Sequence, residues 1–371
     1  MEEMFYWFWM ASLEQIPAGK RIKIAMRLKL RLEELYNNIS ELENILKDEG
    51  LTEKQTASLK DEKLKEEIKR KYERMIYTDI KMYRFIDKEY PEKLLQIHNP
   101  PFALFVKGNL PNDEKKTIGV VGSRACSEYG KAVATQMSYE LSLENFQIIS
   151  GLAIGIDTAG HNGAIMAKKP TFAVVGNGVN LCYPIQNQRV YDQILEHNGG
   201  IISEYTIDTK ALSYHFPDRN RIISGLSDAI LVIEAAERGG ILITANDAVE
   251  QIRIVMAVPG RANDVNSQGT NLLIKKGAVL VQNSADVIGE FYNINQSYYR
   301  LNRTSENFML VSEEKIVYDS LDLQPRHIEE IVQRTGLEYV KCLEIINKLI
   351  NKNAAMENLK NFYSKRLGSN Q

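Results

Sequence analysis

Thr117-Ile-Gly-Val-Val-Gly-Ser-Arg124 and then Gln147-Ile-Ile-Ser-Gly-Leu-Ala-Ile-Gly-Ile-Asp157 each set a short apolar run against a glycine turn, with helical spacing behind it. A strand that turns on glycine and continues as a helix is the building unit of a parallel α/β sheet. Further strand candidates follow at Phe172–Val175, Gly200–Ser203, Ala229–Ile233, Arg253–Val258 and Ala278–Val281. Helices fit at Glu128–Leu143, Asp157–Ala167, Asn187–His197, Arg219–Leu226, Thr244–Gln251 and Asn271–Lys275. Several strands are unbroken apolar runs, as expected where both faces of a sheet are covered. The fold class is α/β: a doubly wound, mostly parallel sheet, with its ligand expected outside the carboxyl ends of the strands.

Working outward, residues 1–75 hold no strand-like run. Ile22, Ala25, Met26 and Leu30, then Leu32, Leu35, Ile39, Leu42, Ile45 and Leu46, recur at amphipathic-helix spacing. Gly50 fits a C-cap, and Thr52 with Gln55 a capping box. The apolar run Met4–Met10 is too short to span a bilayer, and Glu2 and Glu3 stand where a signal peptide carries positive charge. It reads as a first helix, with the protein cytoplasmic and free of membrane segments. Tyr90-Pro91 and Asn99-Pro100-Pro101 break residues 76–109 into short elements leading to a strand at Ala103–Lys107. Residues 293–310 are polar and read as a linker. Beyond them, Glu313–Ser320, His327–Thr335, Val340–Lys352 and a weak two-strand pattern at Ala354–Tyr363 match a small winged-helix-like unit at 311–371.

The chain of 371 residues is 44% hydrophobic and 25% charged, which is ordinary globular composition. Its formal net charge of −2 exerts no global pull on a polyanion, so such a partner needs a local site. Cys126, Cys182 and Cys342 form no Cys-x-x-Cys, which argues against a disulfide framework or a zinc site. No cofactor is called for.

Three turns carry the candidate chemistry. In Gly122-Ser123-Arg124, glycine admits close backbone approach, serine offers a hydroxyl, and Arg124 can fork two hydrogen bonds onto a phosphate. A plain tight turn with a surface arginine explains the same letters. In Ser150–His161, Gly151 and Gly155 can free backbone amides, and Asp157 stands where an N-cap belongs. His161 follows one turn later on the same helical face, where a lone histidine is more often structural than a proton carrier. In Phe216-Pro217-Asp218-Arg219-Asn220-Arg221, two arginines are read as opening a helix, where the dipole opposes them and a bound anion accounts for them. Phe216 beside them can stack on a base, and an ordinary core phenylalanine is the alternative. Thr244 and Asn271 fall where helices should begin and suit capping.

Taken in order, these residues resemble the DprA/Smf family of bacterial DNA-processing proteins. The matching segments are Gly122-Ser-Arg124, Ser150-Gly-Leu-Ala-x-Gly-Ile-Asp157 with His161, Gly176-x-Gly178 with Tyr183-Pro184, and Ser203-Glu204. They continue through Phe216-Pro-x-Arg-Asn-Arg-Ile-Ile-x-Gly-Leu-Ser227, Glu234, Leu242-Ile-Thr-Ala245, Val258-Pro-Gly260 and Gly269-Thr-Asn-x-Leu-Ile. The resemblance implies an extended Rossmann-like domain over 76–292 that binds single-stranded DNA without sequence preference. It also implies a homodimer and a partner, RecA, loaded onto strands during natural transformation. The family often adds an N-terminal helical domain, of the SAM or helix-hairpin-helix kind, and a C-terminal winged helix. Two departures stand out: Ile154 where the family commonly has arginine, and Gly239-Gly240-Ile241 where it has serine-glycine-serine. Gly19 alone remains where a helix-hairpin-helix wants its glycine turn.

Two other readings compete. Gly239-Gly240, Thr244 and Glu250 faintly echo Pro-Gly-Gly-x-Gly-Thr-x-x-Glu, the motif of Rossmann-like enzymes that cleave nucleoside monophosphates, without its proline and third glycine. Alternatively, Val340–Lys352 could serve as a recognition helix, with Lys341, Lys348 and Lys352 balanced by Glu344. The sheet edge near Val255–Leu280 is the expected dimer face.

Overall fold

The computed structural model describes residues 3–237, 239–292, 312–322, 325–352, 354–359 and 361–365. The linker expected at 293–310 lies outside the described residues.

Six helices open the chain: α1 (Glu3–Ser12), α2 (Ala18–Arg27), α3 (Leu32–Asn37), α4 (Glu43–Asp48), α5 (Glu53–Lys60) and α6 (Glu62–Met75). The Thr52–Gln55 capping box forms with both reciprocal bonds, which starts α5 where the sequence indicates. A strand the sequence did not disclose, β1 (Ile80–Arg84), comes next, then α7 (Glu92–Leu95) and β2 (Ala103–Gly108).

The alternating part runs β3 (Thr117–Val121), α8 (Glu128–Leu143), β4 (Gln147–Ser150), α9 (Ile156–Met166), β5 (Thr171–Val174), α10 (Gln188–Glu196) and β6 (Gly200–Ser203). It continues through α11 (His215–Leu226), β7 (Ala229–Val232), α12 (Ile241–Glu250), β8 (Ile254–Ala257), α13 (Val265–Lys275), β9 (Val279–Leu280) and α14 (Ser284–Tyr292). The sheet has nine strands in the order β1-β2-β6-β5-β4-β3-β7-β8-β9. The β1–β2 and β2–β6 pairs are antiparallel and the rest parallel. Helices cover both faces: α8 and α9 bury Val133, Met137, Ile156 and Ala159 on one, while α11 and α12 bury Ile222, Ile223 and Ala245 on the other. The expected edge is occupied by the two-residue β9.

The N-terminal helices do not stand apart from this sheet. A single apolar core joins Phe5, Trp7, Phe8, Leu13 and Leu35 to Phe102, Phe105 and Ile201. Trp7 stacks on Phe102 at 5.3 Å, and Phe8 meets Phe105 edge-on at 5.7 Å. The border expected near residue 75 falls between α6 and β1, and no gap in the packing marks it. Among the described residues, no helix is long and apolar enough to cross a membrane.

Toward the C-terminus lie α15 (Ser312–Ser320), β10 (Arg326–His327), α16 (Ile328–Thr335), α17 (Tyr339–Asn351), β11 (Ala355–Leu359) and β12 (Phe362–Lys365). The three strands form an antiparallel sheet in the order β10-β12-β11. Ile331, Ile345, Ile346 and Leu349 bury a core of their own with Val317.

Candidate functional site

Loops from the carboxyl ends of β3 and β4 meet at glycines. Gly155 adopts φ 88°, and its Cα lies so close to the Ser123 and Arg124 carbonyls that a side chain there would collide with them. Gly122 lies against the Ile156 side chain in the same way, and the Ile156 amide donates to the Ser123 oxygen at 3.3 Å. These glycines let one loop sit on the other. They do not leave the expected amides facing outward. The Ser123 amide donates to the Glu234 carbonyl at 2.8 Å, and that of Gly151 donates to the Asp157 carboxylate at 3.0 Å. The Ala153 amide reaches the same carboxylate oxygen at 3.4 Å. Asp157 is thus not the N-cap of α9, a place taken by Gly155, but the internal acceptor that organises the second loop. Burial raises its pKa, while the nearby Arg219 and the two amides oppose that rise. The Ser150 hydroxyl is buried and donates to the Val120 carbonyl at 2.6 Å, tying β4 to β3.

The Arg219–Arg221 segment also differs from expectation. Helix α11 begins at His215, so both arginines sit past its first turn and the dipole argument for an anion does not apply to them. Pro217 does not delay the helix, because an amide in the first turn has no intrahelical partner to lose. Arg219 is buried beneath Gly151, with Nη1 donating to the Gly151 carbonyl at 2.7 Å and also to that of Val174. Burial lowers its pKa to about 10, with Asp157 opposing and Arg124 adding to the fall. The Arg221 guanidinium donates to the buried Glu204 carboxylate, which in turn lies 3.6 Å from buried Arg21 of α2. Both side chains are therefore engaged inside the protein, and neither projects as a free phosphate fork.

Arg124 differs. It is exposed, with Cζ 5.2 Å from the centre of the Phe216 ring. Phe216 is half-buried in the first turn of α11, and Asn220, half-buried too, follows at the spacing that places it on the same helical face. Sequence reasoning did not assign Tyr183 to this group. Its ring is 49% exposed and lies 5.7 Å from that of Phe216 at 32°. The available signal was an aromatic residue in the loop behind Gly176-x-Gly178, but nothing local says which ring it meets. Ile154, at the tip of the second loop, is 46% exposed.

The other candidates lie elsewhere. His161 is fully buried, with Nδ1 2.8 Å from the Thr171 hydroxyl at the amino end of β5; burial, then the charge of Arg219, lowers its pKa to about 3. Thr244 is buried within α12, three residues past its start, and Asn271 sits in the middle of α13. Neither is a cap. Gly269 looks like a helix breaker in sequence, but it allows α13 to press against the Ala235 and Ala236 carbonyls. Asn271 instead clamps Gly260, accepting from its amide at 3.2 Å and donating to its carbonyl at 3.1 Å. Glu250, at the exposed end of α12, does not join buried Thr244 in one site.

A cleft of about 1000 Å³ opens at the carboxyl ends of β3, β7 and β8, lined by Ser127, Tyr129, Glu234, Gly260, Asn263 and Asn266 among others. This is the topological switch point, where a doubly wound sheet ordinarily holds its ligand. Here the Glu234 carboxylate accepts from the Ser127 amide at 2.8 Å and from its hydroxyl, occupying the N-terminus of α8 as a bound anion would. No cluster of metal ligands occurs among the described residues. Lys341 of α17 and Lys352 just past its end pair with Glu313 and Glu314 at 2.6 and 2.7 Å, which leaves Lys348, among the described residues, as the unpaired cation of the three for a recognition helix.

A family model described as DNA recombination-mediator protein A matches residues 81–292. The chain is 43% identical to Protein Smf of Escherichia coli (strain K12) over 199 residues, which make up 54% of this chain and 53% of that protein. The match thus spans about half the length of that relative. The X-ray structure of DNA processing protein A from Streptococcus pneumoniae superimposes with a TM-score of 0.56 and 34% identity, covering 74% of this chain and 98% of that one. DNA processing protein A from Helicobacter pylori, described for its single-stranded DNA binding mode, gives a TM-score of 0.51 over 58% of this chain and 97% of that one. At 24% identity that likeness is one of fold.

Proposed function

The chain belongs to the DNA recombination-mediator protein A family, and from that membership we propose that it binds single-stranded DNA without sequence preference and helps load RecA onto the strand. The observation that carries the binding step is the exposed Arg124 guanidinium resting over the Phe216 ring beside the ends of β3 and β4. In that reading Arg124 meets a phosphate, Phe216 stacks on a base, and Ser123 and Asn220 flank the strand. Stacking tolerates every base, which suits a site that does not read sequence. Arg219, Asp157 and the paired glycines hold the two loops in register from below. The RecA step, a role in DNA uptake and assembly as a homodimer rest on the family resemblance. The Helicobacter pylori relative's single-stranded DNA binding agrees with the substrate class.

A gel shift with matched single- and double-stranded oligonucleotides tests the binding step. Preferential retention of the single strand is expected, with Arg124→Ala weakening it about tenfold, as loss of a hydrogen-bonded charge contact should. Equal retention of the duplex, or an unchanged Arg124→Ala, overturns the reading. Accelerated RecA assembly on a coated single strand tests the second step. Release of free base from AMP would instead establish the nucleotide-cleaving alternative.

A further inference from the structure

We propose that Tyr183 is a second base-stacking platform, so that the site holds two consecutive unpaired bases drawn out of their usual parallel stack. The proposal rests on the single-strand reading of Arg124 and Phe216 and adds the shape of ligand that this site accepts.

The geometry begins with two rings that water should disfavour. Tyr183 is 49% exposed, and its ring lies beside that of Phe216, 5.7 Å between centroids and tilted by 32°. Arg124 stands 5.2 Å from the same Phe216 ring. One cation and two aromatic rings thus form a connected group at the carboxyl edge of the sheet. Aromatic surfaces of this kind gain from being covered by another π-face.

The arrangement of the rings then selects the ligand. In a duplex each strand advances about 3.4 Å per nucleotide. Two neighbouring bases that each lie flat on one ring take up the 32° tilt between the rings, whose centres are 5.7 Å apart, and so leave the parallel stack. A free strand can do so by rotating about its backbone. A duplex can do so only by losing the stacking and pairing that define it. Exclusion of duplex therefore follows from the tilt and offset of the two rings.

A cation follows Tyr183 six residues along the chain. The chain passes through Pro184 and a 3-10 turn, Ile185–Asn187, into α10, whose first turn exposes Arg189. Arg189 has no ion pair or hydrogen bond among the described residues. Its own helix dipole opposes a cation at this position, so local stability does not call for it. A phosphate following the second stacked base gives it a partner.

The test compares binding of a short oligothymidylate with binding of an abasic backbone of the same length. Wild type, Tyr183→Ala, Tyr183→Phe, Phe216→Ala and Arg124→Ala are measured across a range of salt. Loss of one stack should cut the preference for bases by about 5- to 150-fold in Tyr183→Ala. Tyr183→Phe should retain the preference. The salt slope of Tyr183→Ala should match wild type, because no phosphate contact is removed; a general distortion of the site would move Arg124 and change that slope. Full preference in Tyr183→Ala, beside a reduced preference in Phe216→Ala, overturns the second platform and leaves the site standing. If Arg124→Ala and Phe216→Ala also bind like wild type, the site reading itself fails and the inference falls with it.

Discussion

Arg219 donates from Nη1 to the carbonyl oxygen of Gly151, 2.7 Å away, and so supports the second loop from beneath. Arg219 is a buried strut whose pKa burial has lowered to about 10, with nearby Asp157 opposing that fall. Arg219→Ala should therefore act first on stability. Removing the side chain leaves the Gly151 and Val174 carbonyls without this donor, and an unsatisfied buried polar group costs about 1–3 kcal/mol. Urea unfolding followed by circular dichroism should show a clearly lower midpoint, in contrast to Arg124→Ala, which should unfold like wild type.

His161 predicts an acid sensitivity with a definite sign. Its folded pKa is lowered to about 3 from 6.5, by burial first and the charge of Arg219 second. Above pH 6.5 neither folded nor unfolded chain binds a proton there, and the group leaves stability unchanged. Below that, the unfolded chain gains a proton that the folded one refuses, so stability falls by about 1.4 kcal/mol per pH unit. Between pH 6.5 and pH 5 the loss is about 2 kcal/mol. His161→Gln keeps a hydrogen-bonding side chain without titrating, and denaturant melts across this range should show a shallower pH dependence for it.

Glu234 supplies a third test, because it stands in for a ligand at the start of α8. Glu234→Ala leaves the Ser127 amide and hydroxyl without their acceptor, at a cost of about 1–3 kcal/mol. The emptied helix N-terminus should then accept inorganic phosphate. Thermal melts in phosphate and in an uncharged buffer should differ more for this variant than for wild type. Equal shifts would mean that the crevice has no anion site to uncover.

Under the proposed single-strand reading, Ile154 bears on how the strand is gripped. Placed at an exposed loop tip next to the segment carrying Arg124, it leaves apolar surface where the family pattern commonly has a cation. Ile154→Arg should tighten single-strand binding and steepen the dependence of log affinity on log salt by about 0.7. Arg124→Ala should flatten it by a similar amount. Anisotropy titrations of a labelled 30-mer between about 50 and 200 mM salt, where counterion release dominates, read both slopes.

The alternating α/β core was legible because its strands are continuous apolar runs and its turns end on glycine. β1 was not, since Ile80-Lys-Met-Tyr-Arg84 is short and its ladder comes from β2, a strand the chain reaches only after two proline breaks. Helix starts were misplaced where a residue with a loop reputation served a packing need. Pro217 fits the first turn of α11, and Gly269 lets α13 approach the end of β7. The candidate site was legible in residue type more than in posture. Arg124 and Phe216 do meet at the surface, but spacing could not reveal that Arg219 points inward to two carbonyls or that Arg221 is claimed by Glu204. Nor could it reveal Tyr183, since the pairing of its ring with Phe216 depends on how two loops from different strand ends converge.

The Arg21–Glu204–Arg221 contact joins a residue near the start of the chain to the helix that carries Phe216. Any exchange of the leading helices between relatives has to move these three positions together, or a buried carboxylate inherits the wrong neighbours. Changes within the first two dozen residues, far from the loops in sequence, should therefore register as altered grip on a polynucleotide, and a shortened protein starting at β1 is the wrong object on which to measure it.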